Sequence, residues 1–178
     1  MRIRIANRED IPQIARVHVD TWRTAYRGIV PGEFLAGLSY ERSAEAWRWI
    51  LDSSETDGNF TFAAEDESSG EIVGFANGGP ERTGDPEYRG ELNAIYILEQ
   101  HQGGGLGRRL VTAVVSRLVE RKIDSMLAWA LVDNQACRFY ERLGGRRVRE
   151  KQAEIGGKLL PEVAYGWLKA PPGSSPYP

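Results

Sequence analysis

Residues 101–110 read HQGGGLGRRL, with glycine at positions 103, 104, 105 and 107 and then a good helix former. The strand-like run ELNAIYIL (91–98) leads into this stretch, and Leu106, Leu110, Val111, Val114, Val115 and Leu118 follow it at helical spacing. Strand, glycine turn and helix start together predict an anion site. The first amides of a helix have no intrahelical partner and carry the positive end of its dipole. Glycines let the backbone take positive φ and approach a ligand closely. Arg108 and Arg109 add charge where a first helical turn usually prefers acid. No Gly-Lys-Ser/Thr follows, which argues against a nucleoside-triphosphate loop; the Gly103-x-Gly105-x-Gly107 spacing fits a dinucleotide fingerprint poorly. The bland alternative is a flexible glycine turn.

Outward from this point, RIRIA near the N-terminus alternates like a short edge strand. Ile11, Ile14, Ala15, His18, Trp22 and Tyr26 then mark an amphipathic helix, broken at Gly28 and Pro31. Ala44, Trp47, Ile50 and Leu51 mark a second helix. FTFAAEDESSGEIVGFANGG reads as a hairpin turning at Ser68, Ser69 and Gly70. MLAWALV (126–132) is apolar enough for a central strand. DNQACRFYERLGG follows as a helix with Asn134 as N-cap and Gly144 just past its end, before two more strands around 147–155 and 162–168. The order βααβββαβαββ predicts an α/β (α+β) fold, a mixed, mostly antiparallel central sheet of about seven strands flanked by helices. One domain over 1–169 is expected, with APPGSSPYP (170–178) as a flexible tail.

Composition narrows the function. At 178 residues, 41% apolar and 27% charged, the chain has no apolar run of the ~20 residues a bilayer span needs. MRIRIANRED lacks a signal-peptide core and one cysteine, Cys137, forms no internal disulfide, so cytoplasm is the expected compartment. A net charge of −2 argues against wholesale binding to nucleic acid. No His/Cys/Asp cluster has metal-ligand spacing, and no metal is expected.

The run Gln102-Gly103-Gly104-Gly105-Leu106-Gly107 resembles the Q/R-x-x-G-x-G/A signature of the GNAT acyl-CoA N-acyltransferases. Asn134-x-Ala136-x-x-Phe139-Tyr140-Glu141-x-Leu143-Gly144 resembles their second motif. Where many members have Leu-Gly-Phe, this chain has Leu143-Gly144-Gly145. The resemblance implies an N-acetyltransferase moving the acetyl group of acetyl-CoA directly to a primary amine. The alternative is a non-catalytic coenzyme-A-binding sensor. A small-molecule or peptide amine is the implied partner, with no nucleic acid and no membrane; a homodimer is compatible with the resemblance.

It also implies roles. Amides from Gln102 to Gly107, with Arg108, hold the coenzyme A diphosphate; Ile97 pairs with the pantetheine arm, and Ile95 points its amide at the thioester oxygen. Plain core packing is the other reading of both isoleucines. Tyr140 stands where the family often places its acid, and Glu91 where some members carry the base; a solvated phenol and an exposed strand-end glutamate are the alternatives. Asn134 is a helix cap that can also touch the coenzyme. Trp22 and Tyr26 are candidate acceptor-site aromatics, since aromatic faces attract ammonium groups, although such a stripe is more often core. His18 reads as a buried histidine, His101 as exposed, Cys137 as a packed thiol, and RRVREK (146–151) as a solvated strand face.

Overall fold

Phe60–Glu65 (β2) and Ile72–Pro80 (β3) pair antiparallel about a turn in which Gly70 takes φ +73° and its N–H donates to Asp66 O at 2.7 Å. This hairpin is part of a seven-stranded sheet in the computed structural model, which describes residues 1–169 apart from the Glu55 side chain. The expected tail at 170–178 lies outside the described residues. The other strands are Arg2–Ile5 (β1), Gly90–Ile97 (β4), Met126–Leu131 (β5), Arg146–Ile155 (β6) and Lys158–Trp167 (β7). Their order across the sheet is β1-β2-β3-β4-β5-β7-β6, and the β4–β5 pair alone is parallel. The mixed, mostly antiparallel sheet is as the element order predicts, with β1 at one edge.

The helices are Ile11–Ala25 (α1), Gly32–Ala36 (α2), Tyr40–Asp57 (α3), Leu106–Glu120 (α4) and Ala136–Arg142 (α5). The short α2 is an addition to the expected order: after Pro31 the chain makes one turn of helix, too short to show a period. Against one face of the sheet, α4 buries Leu110, Val114 and Leu118 with Val73, Ala76, Leu92 and Ala128. Against the other, Ile14 and Val17 of α1 and Trp47 of α3 pack with Ala63, Ile72 and Phe75. Burying each such side chain stabilises the fold by about 1.5–3 kcal/mol, which is why the apolar stripes were readable from spacing. No helix among the described residues is long and apolar enough to cross a membrane.

Helix α5 starts two residues later than Asn134. The Asn134 Oδ1 still accepts from Ala136 N–H at 2.8 Å, so it caps the turn that leads into the helix. Gly144 follows the helix at φ +82°. A Cβ on Gly145 would lie 2.6 Å from Trp167 Cζ2, and Trp167 Nε1 donates to Leu143 O at 3.0 Å. The aromatic missing after Leu143-Gly144 is thus supplied from β7.

Candidate functional site

β4 and β5 are paired over three positions only, Gly90 with Met126, Glu91 with Leu127 and Leu92 with Ala128. A bulge at Asn93 then re-aims β4, and from there the two strands separate. Leu98 N–H donates to Val73 O on the β3 side at 2.9 Å. Backbone groups alternate along a strand, so the N–H groups of Ile97 and Ile95 point the other way, into the gap. Both isoleucine side chains are half-buried and pack on the α4-side core, so packing and amide direction coexist.

The glycine loop closes one end of this gap. Gly103 and Gly105 take φ +78° and +82°, and a Cβ on Gly103, Gly104 or Gly105 would meet nothing within 4 Å. Among the described residues no hydrogen bond takes the N–H of Gly103, Gly104, Gly105, Leu106, Gly107 or Arg108. This run of free amides at the start of a 15-residue helix has the charge sign that attracts an anion such as a diphosphate. Gln102 plays a different part: its N–H donates to Glu99 O, and its side chain Nε2 donates to Ile97 O at 2.8 Å. Gly107 also has a packing duty, since a Cβ there would come 3.1 Å from Phe139 Cζ. Arg108 is exposed; Arg109 Nη2 donates to Met1 O at 3.0 Å. His101, expected exposed, is half-buried in a short 3-10 turn, Glu99–His101.

Tyr140 on α5 is 4% exposed and packs against Phe139, Tyr165 and Trp167. Burial raises its phenol pKa, with further contributions from Tyr96 and Cys137, so the hydroxyl keeps its proton at neutral pH. Cys137 is a buried thiol directed at Leu131 O, its pKa raised by burial, which suits packing and not nucleophilic attack. Glu91 is 3% exposed, not an exposed strand end, and both its oxygens are held by Arg82, at 3.0 Å from Nε and 2.6 Å from Nη2. It lies where β4 and β5 are still paired, four residues before Ile95, roughly 13 Å along the strand.

On the α1 side, the Trp22 and Tyr26 rings lie 4.4 Å apart between centroids, tilted by 30°, and pack with Val30, Leu35, Leu131 and Leu160. Trp22 also lines a cavity of about 400 Å³ with His18, Phe34 and Leu38. The Tyr26 phenol pKa is raised, first by burial and then by the neighbouring Tyr96, Tyr140 and Glu162. His18 is a satisfied interior histidine: Nδ1 lies 3.0 Å from Ser43 Oγ and accepts from Trp47 Nε1 at 3.2 Å. Burial pushes its pKa down to about 4. RRVREK is not simply solvated. Arg149 holds Asp85 at 3.1 Å and Glu87 at 2.7 Å, pinning the β3–β4 loop, while Lys151 turns toward Glu162.

Tyr96, Arg82 and Glu162 escaped the sequence reading. Tyr96 sits in an apolar strand run, Arg82 meets Glu91 through the β3–β4 loop, and Glu162 meets its neighbours through sheet order.

The family model described as "Acetyltransferase (GNAT) family" matches residues 19–145. An uncharacterized N-acetyltransferase of Bacillus subtilis (strain 168), YuaI, is 40% identical over 165 residues, covering 93% of this chain and 91% of that protein. Among solved structures, a ribosomal-protein-alanine N-acetyltransferase from Brucella melitensis superposes with TM-score 0.73 at 23% identity, over 94% of this chain and 99% of that one. The PaiA N-acetyltransferase from Thermoplasma acidophilum, in complex with coenzyme A, gives TM-score 0.67 at 18% identity, over 91% and 98%.

Proposed function

The chain belongs to the GNAT acetyltransferase family and is an N-acetyltransferase that uses acetyl-CoA, and from that premise we propose direct transfer to a primary amine at the β4–β5 gap. The observation that carries this reading is the run of free amides from Gly103 to Arg108 beside a strand whose unpaired N–H groups face the gap.

Acetyl-CoA brings the acetyl group as a thioester, whose thiolate leaves with a pKa near that of a free thiol, about 8.5. The Gly103–Arg108 amides hold its diphosphate, and Arg108 adds charge. Asn134, its Oδ1 already capping, has a side-chain NH₂ left to donate to the coenzyme. Ile97 N–H fixes the pantetheine arm. Ile95 N–H meets the negative charge that develops on the transferred carbonyl; one aimed donor of this kind contributes about 3 kcal/mol. Tyr140 Oη, held protonated by burial, gives its proton to the departing sulfur. Glu91 takes the amine's proton through water, which requires the Arg82 side chain, 60% exposed, to give way. Trp22 and Tyr26 border the acceptor.

The alternative, a coenzyme-A sensor without turnover, gains nothing from relatives named as N-acetyltransferases. Mixing the protein with acetyl-CoA and a library of amines tests the choice: free thiol appears if transfer is right, and binding without thiol release across the library overturns it.

A further inference from the structure

The chain's own lysine marks a place built for an alkylammonium. Lys151 sets Nζ 4.0 Å from the centre of the Trp129 ring and 3.5 Å from Glu162 Oε2. Glu162 on β7 lies directly opposite Leu131 of β5 and opposite Lys151 of β6. Trp129, two residues from Leu131, shares that face, so the three side chains project together. Continuing the β4–β5 pairing past Leu92 and Ala128, Leu131 falls level with Ile95 and Tyr96. Glu162 therefore stands at the height of the gap, whereas Glu91 stands below it.

The Glu162 carboxylate is under-partnered for its burial. Its side chain is 19% exposed, and among the described residues no hydrogen bond reaches it; the loose lysine is its counter-charge. A largely buried carboxylate needs a cation. Lys151, 47% exposed and on an edge strand, is a cation that solvent readily draws off. An ammonium between a carboxylate and an indole face gains both Coulomb attraction and a cation–π contact.

We infer that Glu162 and the face of Trp129 form the seat that receives the acceptor's alkylammonium, and that Lys151 is a placeholder the acceptor displaces. The inference rests on transfer to an amine and narrows the acceptor to one that arrives protonated, such as an alkylamine, over a neutral arylamine.

Butylamine is the probe and aniline the neutral control. Thiol release gives the KM of each amine and of acetyl-CoA, and tryptophan fluorescence of the coenzyme A complex gives butylammonium affinity without turnover. The wild-type protein shows a saturable fluorescence change that Trp129→Phe abolishes. Glu162→Gln raises the butylamine KM about ten-fold, as loss of one charge contact implies, and leaves the acetyl-CoA KM unchanged. Glu162→Asp stays near wild type, and Lys151→Gln lowers the butylamine KM. A purely structural ion pair moves both neutralising variants in the same direction; that result, or an unchanged butylamine KM in Glu162→Gln, overturns the inference. If Glu162→Gln does not fold, the direction of Lys151→Gln decides. Binding at Trp129 with no thiol release by the wild type supports the seat and overturns amine transfer.

Discussion

Gln102 Nε2 donates to Ile97 O at 2.8 Å, which ties the first residue of the glycine loop to the strand whose amides line the gap. In the proposed mechanism this one bond couples the diphosphate cradle to the strand that aims the acyl group. Gln102→Ala removes it at an exposed position, so the fold keeps its melting temperature while the acetyl-CoA KM rises about two- to ten-fold, the value of one net hydrogen bond. Steady-state kinetics beside a thermal melt checks both halves.

Gly104 and Gly105 are neighbours with different constraints. Both have open space where a Cβ would stand, but Gly105 takes φ +82° at the head of α4. Gly105→Ala is expected to destabilise the protein by about 1 kcal/mol and to weaken acetyl-CoA binding, whereas Gly104→Ala leaves the denaturation midpoint unchanged. Urea titration of the two variants separates them.

For the chemical step, Tyr140→Phe lowers kcat ten-fold or more with the acetyl-CoA KM unchanged, because the ring stays in its aromatic packing and only the proton donor goes. Glu91→Gln lowers kcat/KM by about 10² if the carboxylate takes the amine's proton. An unchanged kcat in either variant removes that residue from the mechanism.

His18 makes stability pH-dependent. Its Nδ1 accepts from Trp47 Nε1, so protonating that nitrogen sets two donors against each other. The folded pKa, about 4, is below the usual 6.5, so the unfolded chain binds the proton more readily between those values. The contribution, about 3 kcal/mol, is fully present above pH 6.5 and is lost as pH falls from 6.5 toward 4. Urea midpoints across that range decline in the wild type and flatten in His18→Gln.

What could be read in advance was local. The β2–β3 hairpin, the stripes of α1, α3 and α4, and the glycine loop each declare themselves within a short window of chain, through period or backbone freedom. The single-turn α2 has too few residues for a period. The Trp129–Lys151–Glu162 cluster comes from three strands whose spatial order, β5-β7-β6, departs from chain order. Arg149 reaches Asp85 and Glu87 across more than sixty residues of chain, a pairing that the local run RRVREK does not reveal. The burial of Glu91 is not legible in the sequence because its partner Arg82 returns through the β3–β4 loop. Trp167 filling the space beside Gly145 is likewise a long-range fact, and it explains why the missing phenylalanine costs the fold no aromatic.

The central claim is that the amides of Gly103 to Arg108 are the diphosphate cradle. Amide NMR of the nitrogen-labelled protein titrated with coenzyme A tests it most directly. The account predicts that the resonances of these six residues, with Ile95 and Ile97, shift together and saturate at one affinity; saturation that leaves the loop unmoved while amides elsewhere shift would contradict it.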